Sequence, residues 1–329
     1  MNLERIDAFD INFVDSAARK EFKLNSSTGM GESRIYIGND EEKYDEFFDF
    51  DHVEYFITEK KDLIKYMDDA YQEYMFPTQD YRSDITQMYN QLKEETEQIE
   101  QDLLTYNFRK KFDNQNRYYI VLLDGGNNRK NYNYIRNIAL PRVTKYCFIK
   151  FKDKNTGKMY IYMRPILFND LKVKEEVEVI LENESSDISE NKKQVRRLKQ
   201  SKYRHELLEN MPFCPFTHVA DDRILVACHI KPFSECDTDE ERYDCKNGII
   251  MTPTYHTLFD LGFISFENDG KLIVSPFLSN ITKKRLNLRD GEQIRLQTGS
   301  DKYLEYHRNN IFCKMPTFEL TDMDFKNRN

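Results

Sequence analysis

Apolar residues recur at helical spacing between Asp80 and Phe112. They are separated by three, four or seven positions and are Ile85, Met88, Leu92, Ile99, Leu103 and Tyr106. This spacing puts apolar side chains on one face and predicts a single long amphipathic helix over 80–112. The helix either packs on a core or forms a dimerising coiled coil, although it holds fewer than four heptads.

Apolar runs further along the chain predict strands. YYIVLLD (118–124) has the length of a buried strand, and GGNN would close it with a turn. KYCFIKF (145–151) and MYIYMRPIL (159–167), joined by DKNTGK (153–158), predict a β-hairpin. VEVILE (177–182) predicts one more strand. The first half is therefore expected to be mixed α and β.

A polar segment and a basic one separate this half from the rest. NESSDIS (183–189) is rich in turn formers and indicates a domain boundary near 185. Seven basic residues follow between Lys192 and Arg204 with helical character, so 186–209 is predicted to be a basic helical linker. Its cations form either a solvated face or a nucleic-acid contact. The net charge of −8 argues against a polyanionic partner, but a locally basic face stays possible.

The segment after residue 210 concentrates the chemistry. In CPFTHVADDRILVACHIKPF, two short apolar runs flank ADD and predict a strand, a tight turn and a second strand that ends at His229. In NGIIMTPTYHTLFDLG, Thr252 fits an N-cap, Pro253 the first helical turn and Gly262 the stop. His256 and Asp260 then lie one turn apart on one face, a spacing that suits two ligands of one divalent cation.

Three motifs in this order resemble those of the HNH (ββα-metal) endonuclease family. They are Ala227-Cys228-His229-Ile230-Lys231-Pro232, Asn247-Gly248-Ile249-Ile250-Met251 and Tyr255-His256-Thr257-Leu258-Phe259-Asp260-Leu261-Gly262. They look like the subgroup with A-H-I-x-P, N-G-L-L-L and L-H-x-L-F-D-x-G. The resemblance continues through FISFENDGKLIVS (263–275) to YLEYHRNNIF (303–312) and covers about a hundred residues. None of the first two hundred residues shares it.

The resemblance implies a role for each matching residue. His229 would be the general base that deprotonates the attacking water. Asn247 would fix the loop between strand and helix and orient His229. His256 would bind a divalent metal, with Asp260 as its partner ligand on the helix. Cys228 stands where the commoner HNH patterns have an Asp or His ligand.

Cys228 also bears on the identity of the metal. Magnesium is the first expectation, but it tolerates thiolate poorly, so ligation by Cys228 would favour manganese, nickel or zinc. His307 and Arg308 match the end of the family pattern, where Arg308 would either grip a phosphate or pair structurally. No C-x-x-C occurs among the six cysteines, which favours reduced thiols over a structural zinc site.

These observations predict an α+β protein. Residues 1–185 would form a recognition or sensor domain, 186–209 the linker, 210–314 the HNH nuclease domain and 315–329 a tail. The first hypothesis is a bacterial restriction-type endonuclease that cuts double-stranded DNA to 5′-phosphate and 3′-hydroxyl ends. An antiviral effector with a sensor domain is the alternative, and a non-catalytic DNA-binding protein is a third.

Composition adds an expected location and assembly. MNLERIDAFDINF has acidic residues where a signal peptide has an apolar run, and no window is apolar enough to span a membrane. A cytoplasmic protein without a membrane partner is therefore expected. Cutting both strands usually takes two active sites, so a homodimer is possible, with the helix over 80–112 as its candidate interface.

Overall fold

The computed structural model describes residues 2–13, 17–26, 33–123, 126–168 and 190–318. Contacts divide the chain into two compact units, Met1–Asn169 with Pro316–Asn329 and Asp170–Met315. Helices and strands occur in both units, and the fold class is α+β, as predicted. No helix within the described ranges is long and apolar enough to cross a membrane.

The described part of the first unit contains strands in two sheets. They are β1 (Leu3–Phe13), β2 (Arg34–Gly38), β3 (Val53–Glu59), β4 (Leu103–Tyr106), β5 (Phe108–Phe112), β6 (Tyr118–Leu122), β7 (Thr144–Asp153) and β8 (Met159–Leu167). One sheet has the order β1-β7-β8-β3-β4, with β3 and β8 parallel and the other neighbours antiparallel. The second sheet, β2-β6-β5, is antiparallel throughout.

Helices of the first unit pack around these sheets. They are α1 (Glu41–Phe48), α2 (Lys60–Asp69), α3 (Tyr71–Met75), α4 (Tyr89–Glu97) and α5 (Gly126–Ile138). The core is strongly aromatic: Phe48 meets Phe148 edge-to-face at 5.3 Å, and Phe56 meets Phe108 at 4.8 Å. Such contacts add to the burial of their large apolar area.

The predicted hairpin over 145–167 is confirmed. β7 and β8 pair in unbroken register from Thr144 opposite Leu167 to Lys152 opposite Met159. Asp153 closes the turn, because its carboxylate accepts hydrogen bonds from the Asn155 amide and the Thr156 hydroxyl. Gly157 supplies a left-handed residue at φ +74°.

The prediction of a single helix over 80–112 is wrong. Only α4 and a short 3-10 turn at Thr86–Met88 are helical there, and the chain then enters β4 and β5. Residues 103–106 alternate between partly exposed and buried, and they pair with β3. Leu103 and Tyr106 continue the helical spacing, but burial of every second residue and pairing with β3 favour a strand at these positions. Because residues 80–112 do not form this helix, they cannot form the predicted coiled coil or its dimer interface.

Two other predictions in the first half need correction or lie outside the described residues. The strand predicted at 118–124 is observed as β6, but residues 126–128 of GGNN begin α5 instead of closing a turn. The strand predicted at 177–182 and the boundary near 185 lie outside the described residues.

The second unit contains the helices and strands that position the candidate site. They are α6 (Glu190–Asn210), β9 (Val226–His229), α7 (Asp239–Arg242), β10 (Gly248–Met251), α8 (Pro253–Asp260), β11 (Ile264–Phe266), β12 (Leu272–Val274), α9 (Asn280–Arg285) and α10 (Asp301–Asn310). β9 pairs antiparallel with β10, and β11 with β12. Leu207 of α6 is fully buried with Ile250, Met251 and Phe259, so the C-terminal half of α6 belongs to this core.

The strand predicted ahead of the ADD turn is absent from the described residues. Residues 214–219 instead form a turn in which the Cys214 carbonyl accepts from the His218 amide. Pro215 lacks a ladder donor, and His218 has a left-handed backbone at φ +55°. Neither fits a regular strand, so the partner of β9 is β10 from further along the chain.

Candidate active site

β9 and β10 form a short ribbon that carries two neighbouring candidate residues, Cys228 and His229. Cys228 lies opposite Ile249 and His229 opposite Gly248 in the antiparallel register. His229 is the last residue of β9, as the sequence predicts.

Helix α8 brings two further polar side chains to the Cys228 side. It starts after Thr252 with Pro253 in its first turn, and Gly262 follows its end at φ +70°, so the three predicted positions are confirmed, although the Thr252 side chain forms no cap hydrogen bond. A side chain at Gly262 would also collide with the Ile311 carbonyl oxygen. One turn of this helix separates His256 from Asp260, and His256 Nε2 lies 2.9 Å from Asp260 Oδ2.

Cys228, His256 and Asp260 together form a cluster with the size of a metal site. Their potential ligand atoms all lie within 4.8 Å of one another. Two ligands that are each about 2.1 Å from one ion lie up to about 4.2 Å apart, so a small adjustment would let all three reach a single cation. Cys228 Sγ also lies 3.4 Å from Asp260 Oδ1. The Cys228 thiol proton that is shared with Asp260 is one that metal binding would displace.

Burial makes this cluster a defined pocket rather than a surface pair. Cys228 is fully buried, and the side chains of His256 and Asp260 are 7% and 17% exposed. The donors are one sulfur, one nitrogen and one oxygen, a set that suits manganese, zinc, cobalt or nickel better than magnesium. The residues therefore fit a divalent metal.

His229 is held in one orientation by three neighbours. Its Nε2 lies 2.9 Å from the Arg242 carbonyl oxygen, its ring stacks on Tyr203 at 4.7 Å and it meets Phe233 edge-to-face at 5.6 Å. A carbonyl oxygen only accepts hydrogen bonds, so Nε2 carries the proton and the basic lone pair is on Nδ1. Nδ1 is buried in this structure, and a neutral imidazole in this tautomer can accept a proton there from a water that reaches it.

Asn247 is fully buried and organises the charged loop that follows His229. Its side-chain oxygen accepts from the Lys231 amide at 2.7 Å. Its Nδ2 group donates to the carbonyl oxygens of Lys231 at 3.0 Å and Glu241 at 3.3 Å, and to Cys236 Sγ at 3.4 Å. Because Glu241 precedes Arg242, this amide fixes the loop beside the carbonyl group that accepts from His229.

Ion pairs strengthen the same loop. Lys231 Nζ lies 2.9 Å from Glu241 Oε2 and 3.0 Å from Asp237 Oδ2. These carboxylates, Glu241 foremost, raise the pKa of Lys231 above its usual range. Lys231 is therefore a fixed internal cation of the loop.

Tyr203 and Arg242 belong to the site, although sequence reasoning missed them. Tyr203 donates to the Asn247 carbonyl oxygen at 3.0 Å while its ring stacks on His229. Gly248 makes this approach possible, since a Cβ there would lie 2.3 Å from the Tyr203 hydroxyl. The apolar spacing of Tyr203, Leu207 and Met211 could have indicated that α6 packs here. Arg242 contributes its main-chain carbonyl group, so the residue type at this position does not indicate its role.

His307 and Arg308 have structural positions. His307 donates from Nε2 to the Phe259 carbonyl oxygen at 3.0 Å and accepts from the Ser265 hydroxyl at 2.9 Å, and burial lowers its pKa to about 4. Arg308 donates to the Phe266 carbonyl oxygen and the Asn268 side chain. Of the two predicted roles for Arg308, these contacts are those of structural pairing.

The described cations of the basic helix α6 also have partners within the unit. Lys199 pairs with Asp239 at 2.8 Å and Lys202 with Glu206 at 3.6 Å. Arg204 donates to the carbonyl oxygens of Leu225 and Asp222. These contacts tie α6 to the segment before β9 and to α7.

Comparison with known families agrees with this geometry. Residues 214–267 match the model of a family described as HNH endonuclease. This segment is similar to an HNH endonuclease domain. It contains Cys228, His229, Asn247, His256 and Asp260. No curated protein matches the chain.

The match supports a nuclease domain in this part of the chain, and the cluster of Cys228, His256 and Asp260 fits the divalent metal that such domains use. The matched segment covers β9, β10 and α8, the three elements that carry the cluster and the oriented histidine. Residues outside 214–267 also contribute to the site, since Tyr203 of α6 packs against His229 and His307 of α10 packs against Phe259. One of the six cysteines, Cys228, lies in the candidate metal cluster.

Proposed function

We propose that this protein is a metal-dependent DNA endonuclease that hydrolyses phosphodiester bonds to 5′-phosphate and 3′-hydroxyl ends. The observation that carries the proposal is the arrangement around β9. A histidine with a fixed tautomer directly follows a residue of a three-ligand metal cluster. Hydrolysis of a phosphodiester needs a base for water and a positive charge for the leaving oxygen, and these are the two functions that the arrangement can supply.

In this proposal, His229 is the general base. Its Nε2 proton is engaged by the Arg242 carbonyl oxygen, so Nδ1 would take the proton of the attacking water. Tyr203 and Phe233 would keep the ring from turning away, because they contact its face and its edge. Asn247 is a positioning residue that acts on His229 through the Glu241–Arg242 backbone.

Cys228, His256 and Asp260 would hold the divalent ion. When bound, the ion would polarise the scissile phosphate and stabilise the leaving oxygen. The sequence favours magnesium, whereas a buried thiol among the ligands favours manganese, zinc, cobalt or nickel. We propose that Cys228 ligates as thiolate and that these softer ions bind more tightly than magnesium.

We further propose a restriction-type enzyme of the cytoplasm, in which the first unit chooses the target in double-stranded DNA. An HNH domain of this size contacts few bases, so a separate unit would have to supply sequence preference. Cutting of both strands would bring two copies of the chain together. An effector that is switched on by a signal would instead carry a sensor in the first unit.

Sequencing the ends of DNA cut by the purified protein tests this proposal. Plasmid DNA is incubated with the full chain and Mn²⁺ or Mg²⁺, and the ends are ligated to adaptors that require a 5′-phosphate. A restriction-type enzyme produces ends at one recurrent sequence with a constant stagger. Ends at unrelated sequences would contradict the restriction role, and cutting that starts only after phage lysate is added would favour the sensor. A lack of cutting under all conditions would contradict the nuclease activity.

A further inference from the structure

The three-stranded sheet of the first unit has one apolar and one basic face. Side chains alternate, so Arg34 and Tyr36 of β2 share a face with Tyr119 of β6 and with Arg109 and Lys111 of β5. Ile35, Ile37, Ile120 and Phe108 point the other way and are buried in the core. We name the first set, together with Arg117 just before β6, the basic sheet face.

Charge on this face is unusual for the protein. The full chain has more acidic than basic residues, 57 against 49, yet β2, β5 and β6 contain no Asp or Glu. Arg109 and Lys111 are exposed, and within the described part of the chain neither forms an ion pair. The neighbouring Lys110 points to the opposite face, where it pairs with Asp45 at 2.7 Å.

Tyr119 forms a platform that holds two of the cations in place. The guanidinium of Arg34 lies 4.3 Å from the centre of its ring and that of Arg117 lies 5.8 Å away. Tyr36 packs against the same ring at 5.4 Å. Arg117 is also held by Asp113, with its Nη2 2.8 Å from Asp113 Oδ2. Cation–π contacts fix the arginines, so less side-chain entropy is lost when they meet a ligand.

The spacing of these cations suits an extended polyanion. Arg34 and Arg109 both lie opposite Val121, so they are two strands apart, about 10 Å. Lys111 lies two residues along β5 from Arg109, about 7 Å away. Charge spread over two dimensions fits a line of phosphates better than one small anion, and the same chain carries an HNH domain whose substrate would be such a polymer.

We propose that the basic sheet face binds the phosphate backbone of double-stranded DNA. Arg109 and Lys111 at the edge strand would contact phosphates directly, and Arg34 and Arg117 would extend the contact across the sheet. Such contacts position DNA without reading its sequence. The proposal rests on the proposed nuclease function for its choice of partner, but it concerns a surface that contains no residue of the HNH domain.

DNA binding by the full chain in EDTA tests the proposal without requiring cleavage. Fluorescence anisotropy of a labelled 30-base-pair duplex is measured between 50 and 200 mM salt for wild type, Arg109→Gln/Lys111→Gln and the control Lys20→Gln/Lys152→Gln. The control removes two exposed lysines of the same unit that lie away from this sheet. Circular dichroism and thermal melting confirm that each variant is folded.

The double variant is expected to bind DNA on the order of tenfold more weakly at low salt. The slope of log affinity against log salt should fall by about 1.8, because each lost phosphate contact contributes about 0.9. The control should match wild type in both quantities. Equal weakening in both double variants, or none in either, would overturn the proposal. Binding of labelled polyglutamate is measured in the same way. If Arg109→Gln/Lys111→Gln keeps its DNA affinity but loses polyglutamate binding, the proposal is overturned in favour of an acidic protein partner.

This result is independent of the nuclease assay. If the basic sheet face binds DNA but the chain never cuts it, the proposed function fails and this inference stands. If the chain cuts DNA while Arg109→Gln/Lys111→Gln binds as wild type does, the inference fails and the function stands.

Discussion

The Nε2 atom of His229 donates a hydrogen bond to the carbonyl oxygen of Arg242 at 2.9 Å. This one contact fixes which ring nitrogen is basic, and it depends on where the loop over 231–247 holds its backbone. The loop is held in turn by the buried amide of Asn247 and by the ion pairs of Lys231. Substitutions can therefore test the site at the base, the loop or the metal cluster separately.

Replacing Asn247 with Asp should destabilise the second unit and reduce cleavage. The carboxylate can still accept from the Lys231 amide, but it cannot donate to the carbonyl oxygens of Lys231 and Glu241. Leaving buried acceptors unsatisfied beside a buried charge should lower the free energy of unfolding by at least about 2 kcal/mol. Urea denaturation measures the loss, with Asn210→Asp at the exposed last residue of α6 as the control. Equal stability of the two variants would contradict the role given to Asn247.

Replacing Cys228 with Ser should remove a thiolate from the metal cluster. Co²⁺ added to wild type should give the strong near-ultraviolet absorption of a cobalt–thiolate bond, and Cys228→Ser should lack it. Cys245→Ser is the control, because that cysteine lies in the same unit but outside the cluster. Cys228→Asp should shift activity toward Mg²⁺, which prefers oxygen ligands. A cobalt–thiolate band that persists in Cys228→Ser would rule out Cys228 as a ligand.

Replacing His256 with Ala should weaken Mn²⁺ binding by more than about 100-fold, since a ligand contributes at least as much as the groups that support it. His205→Ala is a closely matched control. His205 also lies four residues before a carboxylate on a helix, 3.4 Å from Glu209, but its side chain is 75% exposed. Isothermal titration calorimetry gives both affinities. Similar Mn²⁺ affinities for the two variants would mean that the ion binds elsewhere.

Stability should fall in acid because of His307. Burial lowers its folded pKa to about 4, below the ordinary value of 6.5, so the unfolded chain binds the proton more readily. The stability that neutral His307 provides is complete above about pH 6.5 and is lost as the pH falls toward 4, a total of about 3 kcal/mol. Urea denaturation at pH 7 and pH 4.5 should show a smaller loss for His307→Gln than for wild type. Equal losses would contradict this origin of acid sensitivity.

Local signals were sufficient to predict the parts of the site that depend on local structure. Thr252, Pro253 and Gly262 bound helix α8, and the apolar run before His229 ends at that residue. The relation of His229 to Asn247 was less predictable. It runs through the carbonyl group of Arg242 and the ring of Tyr203, and neither a main-chain acceptor nor a stacking partner from another helix has a characteristic spacing.

Tertiary pairing explains where sequence reasoning failed. Leu103 and Tyr106 continue the helical spacing of α4, but β3 supplies a strand partner for residues 103–106. The partner of β9 likewise comes from beyond the loop rather than from the adjacent apolar run. The basic sheet face was also hidden, because its cations come from segments about 75 residues apart that only the register of β2, β6 and β5 brings together.

The rate of plasmid cleavage by His229→Ala, compared with wild type in Mn²⁺, tests whether His229 is the general base of a nuclease. Wild type is expected to convert supercoiled plasmid to nicked or linear DNA. His229→Ala should be at least about 100-fold slower, the contribution of a general base, while keeping the wild-type Mn²⁺ affinity. Cleavage by His229→Ala at the wild-type rate would show that His229 is not the general base.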